Sequence, residues 1–269
     1  MVGAGGLLAL ALAAAVGPSL LAWHFQDIDP TSFLAPPTAR HPLGTTQAGR
    51  DVLALTLHGL GRSLLIGLTA AALQTGLAAL VGAGAAFVGG WPARLAVWVT
   101  DLFLIIPSFL IVAVVLRGLT PDGGSWFWLA FLLALFGWML AGRVVRSLTL
   151  ALKHQEYVVA ARYLGLPSWR IVTRHILPNI ASLLIVDLTL NVGYAVLAET
   201  GLSFLGIGLQ PPDVSLGSLI GAGGNLAVAY PWVFLPPSGA LVLVMLCVNV
   251  IGEGLRDALD PGSLAGGRA

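Results

Sequence analysis

A Gly-x-Ser segment at residues 201–203 is the first feature of this sequence that could support a chemical reaction. A serine nucleophile needs a histidine base within hydrogen-bond reach. The histidines are at positions 24, 41, 58, 154 and 175, and none follows Ser203. With the predicted spans given below, His154 and His175 lie on one side of the membrane, and Ser203 lies near the other side. The sequence therefore argues against a serine protease, and we expect Ser203 to pack between helices.

Metal binding and ATP hydrolysis are two further possibilities. His24, His41 and His58 lie in one part of the chain, and a metal-ligand role for them stays open, although structural roles are favoured because an amphipathic ring suits the end of a membrane span. The single cysteine, Cys247, excludes an intrachain disulfide and the paired cysteines of zinc sites. No Gly-x-x-x-x-Gly-Lys-Ser/Thr phosphate loop occurs. We therefore expect no catalytic residue, no metal site and no ATP hydrolysis by this chain itself.

The composition places these side chains in a membrane protein. Of the 269 residues, 57% are hydrophobic and only 9% are charged, which is far from the composition of a soluble domain. The 13 Lys and Arg residues nearly cancel the 12 Asp and Glu residues. No basic surface for nucleic acid is expected.

Six apolar segments are long enough to cross a membrane, since a spanning helix needs about 20 apolar residues. We expect the first to be a retained anchor rather than a cleaved signal, because no Lys or Arg precedes it. The third should bend at Pro107, and residues 120–124 should form a turn. The predicted spans cover residues 1–26, 62–94, 95–116, 125–142, 180–205 and a last segment that starts between residues 230 and 237 and ends near residue 252.

This pattern predicts an all-α fold with three parts. Residues 1–61 would hold the first span and an external loop, with an interfacial helix over 47–60. Residues 62–255 would form the core, and residues 256–269 a tail. In the second span, small residues recur every four positions and should let a neighbouring helix approach closely; they are Ala78, Gly82, Ala86 and Gly90.

The positions of the basic residues predict the orientation. Six spans put both termini on the same side as the 143–178 loop. Nine Lys and Arg residues lie in segments on that side and four lie on the other. Because basic residues concentrate in cytoplasmic loops, the termini and the 143–178 loop are expected in the cytoplasm.

The 143–178 loop is the long charged segment of the chain, and its local pattern predicts a docking surface. Residues 156–164 favour a short helix, Gly165 suits a left-handed cap, and Pro167 prevents simple continuation. Such a helix, lying across the membrane face with small side chains outward, could dock in a groove of a soluble partner. The candidate docking residues are Val159, Ala160, Ala161, Arg162, Leu164, Gly165, Pro167 and Arg170.

This loop resembles the EAA loop of ATP-binding-cassette (ABC) importer permeases. That motif reads Glu-Ala-Ala, three residues, Gly, nine residues, an apolar residue, any residue, Leu-Pro. Ala160, Ala161, Gly165 and the Leu-Pro pair at 177–178 match it. Val159 stands where the motif has glutamate, which puts the role of that carboxylate in doubt, and His175 replaces the apolar residue.

The resemblance extends over residues 40–261. Within the ABC importer permeases it is to the branch that transports dipeptides, oligopeptides and nickel, and in that branch to the permease subunit with an extra N-terminal span. His175 is normal in this branch. Thr46 and Glu253 each replace an aspartate of its pattern. The matching segments are HPLGT at 41–45, GRDVL at 49–53, ARYLG at 161–165, RHILPN at 174–179, ETGLSFLG at 199–206 with QPP at 210–212, and GEGLRD at 252–257 with DP at 260–261.

The resemblance implies a type I ABC importer permease in a bacterial inner membrane. It also implies a heterodimer with a homologous permease, two cytoplasmic ATPases that bind ATP and Mg, and an external solute-binding protein, with membrane lipid around the complex. This chain would bind no cofactor. The solute would be a small peptide, with nickel or another small solute as the alternative. A passive channel or a membrane scaffold is the alternative from another class.

Three polar residues in the fifth predicted span define a candidate solute path. Asp187, Asn191 and Tyr194 fall within about 60° on a helical wheel. A carboxylate at that depth is costly facing lipid, so the stripe should face protein or water. It could fix the permease heterodimer through hydrogen bonds between helices, or it could line the path and meet a peptide amine.

Overall fold

The computed structural model describes residues 2–119 and 126–259, and the turn predicted at 120–124 lies outside them. The described residues are organised as helices, with one isolated β-bridge between Thr45 and Asp51. The α-helices are α1 (Val2–Leu20), α2 (Val52–Leu77), α3 (Gly84–Val88), α4 (Gly90–Ile105), α5 (Ser108–Leu119), α6 (Trp126–Gly137), α7 (Met139–Leu152), α8 (Glu156–Tyr163), α9 (Ser168–Ile171), α10 (Ala181–Phe204), α11 (Leu216–Gly224) and α12 (Pro231–Leu259).

A 37-residue helical segment, Val52–Val88, forms the centre of the bundle. It consists of α2, a π-helical stretch at Ala78–Ala83, and α3. Its first residue follows Asp51, whose carboxylate accepts a hydrogen bond from the Ala54 N–H at 2.8 Å and so caps the helix. The separate interfacial helix expected over 47–60 is instead the buried beginning of this long helix, so the boundary placed at residue 61 falls inside it.

The next two helix pairs are bent. Helices α4 and α5 meet at 88° around Pro107, a sharper break than the kink expected there. Helices α6 and α7 meet at 44° at Trp138. Arg143 of α7 donates a hydrogen bond to Asp101 of α4, which ties the two bent pairs together.

The last part of the chain contains two long apolar helices and one short helix between them. A continuous helical segment runs from Ser168 to Phe204 and ends with α10. Helix α12 begins at Pro231 as expected and continues to Leu259, past the predicted end. Helix α11 was not expected; Ser215 caps it in a reciprocal pair of hydrogen bonds with Ser218.

Within residues 2–119 and 126–259, four helices are long and apolar enough to cross a membrane, and the number is six if each bent pair forms one span. Small residues bring them into close contact. A Cβ on Gly82 would lie 2.5 Å from the Gly142 carbonyl oxygen of α7, and one on Gly67 would lie 2.5 Å from the Val196 side chain of α10. Contacts this close are typical of helix pairs packed through small residues in membranes.

Candidate functional site

Helix α8 of the charged loop has a well-defined end. The Gly165 N–H donates to the Arg162 carbonyl at 3.0 Å, and the Leu166 N–H donates to the Ala161 carbonyl at 3.2 Å. This pair of bonds is a Schellman motif, which needs a left-handed residue after the helix. Gly165 supplies it with φ 76°. The expected helix and its glycine cap are both present.

One face of α8 is anchored in the protein. Val158 and Ala161 are buried in an apolar cluster with Phe87 of α3, Ile171 of α9 and Val172. The expectation that Ala161 faces outward is therefore wrong: only Ala160 of the alanine pair is exposed. The reason is that successive helical residues point about 100° apart, so two adjacent alanines cannot both lie at the centre of one face.

The opposite face of α8 projects large side chains away from the rest of the chain. Tyr163 is 88% exposed and Leu164 82% exposed, and Trp169 beside them is also exposed. The Arg162 guanidinium lies 5.1 Å from the centroid of the Phe87 ring, and Arg170 lies 5.3 Å from the Trp169 ring. Val159 is half-buried, and Pro167 precedes α9 as its N-cap residue. The projecting surface, defined by Ala160, Tyr163, Leu164, Gly165 and Trp169, is called the docking face below.

Two of the three stripe residues are joined to the central helix. The Thr75 hydroxyl of α2 donates to Asp187 Oδ2 at 3.0 Å, and the Asn191 side-chain amide donates to the same oxygen at 2.9 Å. Tyr194 does not join this cluster; it is an exposed residue further along α10. Asp187 also lines a cavity of about 410 Å³ between α7, α10 and α12.

A fully buried carboxylate, Glu199, forms a network that the sequence did not single out as a site. Glu199 is 0% exposed and accepts hydrogen bonds from the Ser63 hydroxyl at 3.0 Å and the Ser203 hydroxyl at 2.6 Å. Each serine oxygen in turn accepts a backbone N–H, from Leu216 and Leu209 respectively. The network fastens α2, α10 and the start of α11 together. A glutamate inside an apolar span was the signal that could have identified it.

This network also gives Ser203 its role. Its hydroxyl is engaged by Glu199 and by the Leu209 N–H, and no histidine of the described residues hydrogen-bonds to it. Ser203 packs between helices, as expected, and among the described residues it has no histidine base.

The three N-terminal histidines have separate environments. His41 is buried, with Nδ1 2.8 Å from Asp51 and Nε2 3.3 Å from Asp29. His58 lies 3.1 Å from Asp213 and stacks on Phe25, whereas His24 is exposed. Among the described residues no group of three His, Cys, Asp or Glu side chains could hold a metal ion.

Asp29 is the electrostatic centre of the segment between α1 and α2. The hydroxyl and the backbone N–H of Thr31 donate to it at 2.6 and 2.9 Å, and Arg40 lies 3.3 Å away. The Thr31 hydrogen bonds, aided by His41, hold the pKa of Asp29 well below its usual range. The carboxylate is therefore charged at neutral pH and helps to fix the chain between α1 and α2.

Comparisons with known proteins agree with this arrangement. Residues 75–264 match the family described as binding-protein-dependent transport system inner membrane component. The oligopeptide transport system permease protein OppC of Mycobacterium bovis is 50% identical over 257 residues, covering 96% of this chain and 88% of its own, and the OppC protein of Mycobacterium tuberculosis gives the same values. A protein of Brucella suis named as a peptide permease is 38% identical over 91% of this chain and 80% of its own.

The family assignment fits the described site, which has a projecting loop helix and apolar spanning helices. The match also fits a protein that moves a solute rather than converting it, since its family is a transport subunit and not an enzyme. This chain belongs to the family of binding-protein-dependent transport system inner membrane components, the permease subunits of ABC importers.

Proposed function

We propose that this chain forms half of a translocation path for small peptides and pairs with a homologous permease subunit. Two cytoplasmic ATPases, which bind ATP and Mg, would supply the energy, and an external solute-binding protein would deliver the peptide. The chain itself would hold no cofactor. The names of the relatives, two of them oligopeptide permeases with 50% identity over almost the whole chain, support peptides over nickel.

The docking face is the observation that carries this proposal. A helix in water gains nothing by presenting Tyr163, Leu164 and Trp169 to solvent, so large exposed apolar side chains next to one another favour a protein partner. The buried anchor residues Val158 and Ala161 hold the helix against α3 and α9, so a push on the docking face is transmitted to the spanning helices. Aromatic residues and arginine are also the residue types enriched at interface centres.

The same proposal fixes the orientation. The docking face must lie on the side of the ATPases, which puts α8 and both termini in the cytoplasm and the Asp29–His41 segment outside. The excess of Lys and Arg on the α8 side agrees with this orientation. The peptide path would then run along α10 past Asp187 and Asn191, with Tyr194 nearer the external end.

Site-specific cross-linking tests the docking contact. Cysteine is introduced as Leu164→Cys in a Cys247→Ser background, so that the probe carries the one thiol of the chain. We expect a cross-link to a cytoplasmic ATPase in the complete complex. Ile28→Cys, which is also exposed but external in this orientation, is the matched control and should give none. Equal cross-linking at both positions, or none at residue 164, would contradict the proposal.

A further inference from the structure

The cavity between α7, α10 and α12 has one negative and one positive side chain in its wall. Its volume of about 410 Å³ lies in the range of small-molecule sites. Asp187 enters the wall from α10 and Arg256 from α12, and most of the remaining surface is apolar, as at Val144, Leu183 and Leu190. A small number of polar groups in an apolar wall is typical of a ligand site.

The two charges lie at nearly the same depth. A Cβ on Gly193 would meet Val248 at 3.2 Å, and one on Gly252 would meet Leu190 at 2.5 Å, so α10 and α12 are antiparallel and in direct contact. Asp187 precedes Leu190 by three residues, and Arg256 follows Gly252 by four. At a rise of about 1.5 Å per residue these steps are about 4.5 and 6 Å, in the same direction. Asp187 and Arg256 therefore face the cavity from opposite helices at one level.

Both groups keep hydrogen-bonding capacity for a ligand. The donors to Asp187, Thr75 and Asn191, both bind Oδ2, which leaves Oδ1 without a donor from the described residues. Arg256 forms no hydrogen bond or ion pair with any described residue, Asp187 included. Thr75 and Asn191 hold the carboxylate in one orientation, so little side-chain freedom is lost when it binds a cation.

We propose that this cavity binds the two ends of a short peptide, with Asp187 Oδ1 accepting from its ammonium group and Arg256 donating to its carboxylate. The inference rests on the proposed function in peptide import. A dipeptide or tripeptide with free termini matches the two opposite charges, and its side chains would contact the apolar wall.

Uptake by the complete complex in liposomes tests the assignment with three labelled peptides: trialanine, N-acetyl-trialanine and trialanine amide. The variants are Asp187→Asn, Asp187→Glu and Arg256→Gln. Glu253→Gln is the matched control, because Glu253 is exposed on α12 but is not part of the cavity wall. For each peptide the ratio of variant to wild-type uptake is measured, so that the preference of the binding protein cancels.

Each of the two charge-removing variants should impair the uptake of a different pair of peptides. Asp187→Asn should lower uptake of trialanine and its amide about tenfold, which is the size of one lost charged hydrogen bond, and should leave the acetylated peptide within twofold. Arg256→Gln should lower trialanine and the acetylated peptide about tenfold and leave the amide within twofold. Asp187→Glu keeps the charge and should retain most uptake, and Glu253→Gln should match wild type for every peptide.

Two results would overturn the inference. Equal losses for all three peptides would make Asp187 and Arg256 structural residues, and unchanged uptake in both variants would place the peptide elsewhere. Because Arg256 is exposed, Arg256→Gln should leave assembly of the complex intact. This variant therefore tests the peptide assignment even where Asp187→Asn does not assemble. If the wild-type complex carries no peptide at all, the proposed function fails first, and the peptide assignment of the cavity fails with it.

Discussion

Gly82 and Gly142 are 60 residues apart in the sequence, yet a Cβ on Gly82 would lie 2.5 Å from the Gly142 carbonyl oxygen. The π-helical segment and α7 are therefore packed backbone to backbone at this point. Such contact draws its stability from van der Waals packing, since lipid offers no hydrophobic drive between helices.

Replacing Gly82 with Ala should destabilise the protein. The new methyl group meets a backbone oxygen that can move only with its helix, and overpacking of this kind costs about 1–3 kcal/mol. Thermal unfolding in detergent is the measurement. Gly84→Ala is the matched control, since a Cβ there has no neighbour within 4 Å and alanine favours a helix by about 1 kcal/mol. A lower melting temperature for the control than for Gly82→Ala would contradict the packing described.

Substitution of Gly165 should uncouple transport without unfolding the chain. Gly165→Asn keeps a residue that tolerates the left-handed conformation, whereas Gly165→Glu adds backbone strain of about 1–2 kcal/mol together with bulk and charge beside the docking face. A Cβ at this position has no neighbour within 4 Å among the described residues, so the first side-chain atom of either variant has room. We expect near-normal uptake for the asparagine variant and a severe loss of substrate-stimulated ATPase activity for the glutamate variant. Wild-type activity in Gly165→Glu would exclude contact at the docking face.

The outcome at α8 illustrates which features the sequence can predict. Its start, its end and the glycine cap depend on neighbouring residues, and these were predicted nearly to the residue. The inward position of Ala161 depends on Phe87, more than 70 residues away, and no local pattern contains it. Arg62, the first residue of the second predicted span, instead lies inside α2. Its pairing with Asp213, 151 residues along the chain, is a distant contact that no local pattern contains.

In the polar clusters, too, the local spacing could be predicted and the contacts between distant residues could not. The stripe on α10 was visible as a helical spacing, but Thr75, the donor that orients Asp187, is 112 residues distant. Arg256, assigned to the tail by its position, lies in the last turn of α12 and lines the same cavity. Helix α11 escaped prediction because it is a nine-residue, glycine-rich segment with little helix propensity. Each of these depends on contacts between distant segments.

Removing the Ser203 hydroxyl should weaken the fold and should not remove a nucleophile. Ser203→Ala takes one donor from the buried Glu199 carboxylate and leaves the Leu209 N–H unpaired, a loss of about 1–3 kcal/mol. Ser238→Ala is the control, because the buried Ser238 hydroxyl has no hydrogen-bond partner among the residues that the structure describes. In chemical denaturation, Ser203→Ala should have a lower free energy of unfolding than Ser238→Ala. The wild-type protein should not react with a serine-directed fluorophosphonate. Labelling of wild type that is lost in Ser203→Ala would restore the hydrolase hypothesis.

Asp29 should stabilise the segment between α1 and α2 in a pH-dependent way. Its pKa in the folded protein is held below the ordinary value of 3.8, so its contribution is fully present above that value and is lost as the pH falls through the folded pKa. Asp29→Asn should therefore melt at a lower temperature than wild type at pH 7, and the difference should shrink only below about pH 4. A difference that disappears between pH 7 and pH 5 would contradict this origin.

Peptide accumulation in liposomes tests most directly whether this chain forms half of an ATP-driven peptide path. The complete complex is reconstituted with ATP enclosed on the α8 side, and labelled trialanine is added outside with the binding protein. We predict accumulation above the external concentration that requires both ATP and the binding protein and that is lost with Gly165→Glu. Peptide flux that proceeds without ATP and stops at equal concentrations would show a passive channel and would contradict the account.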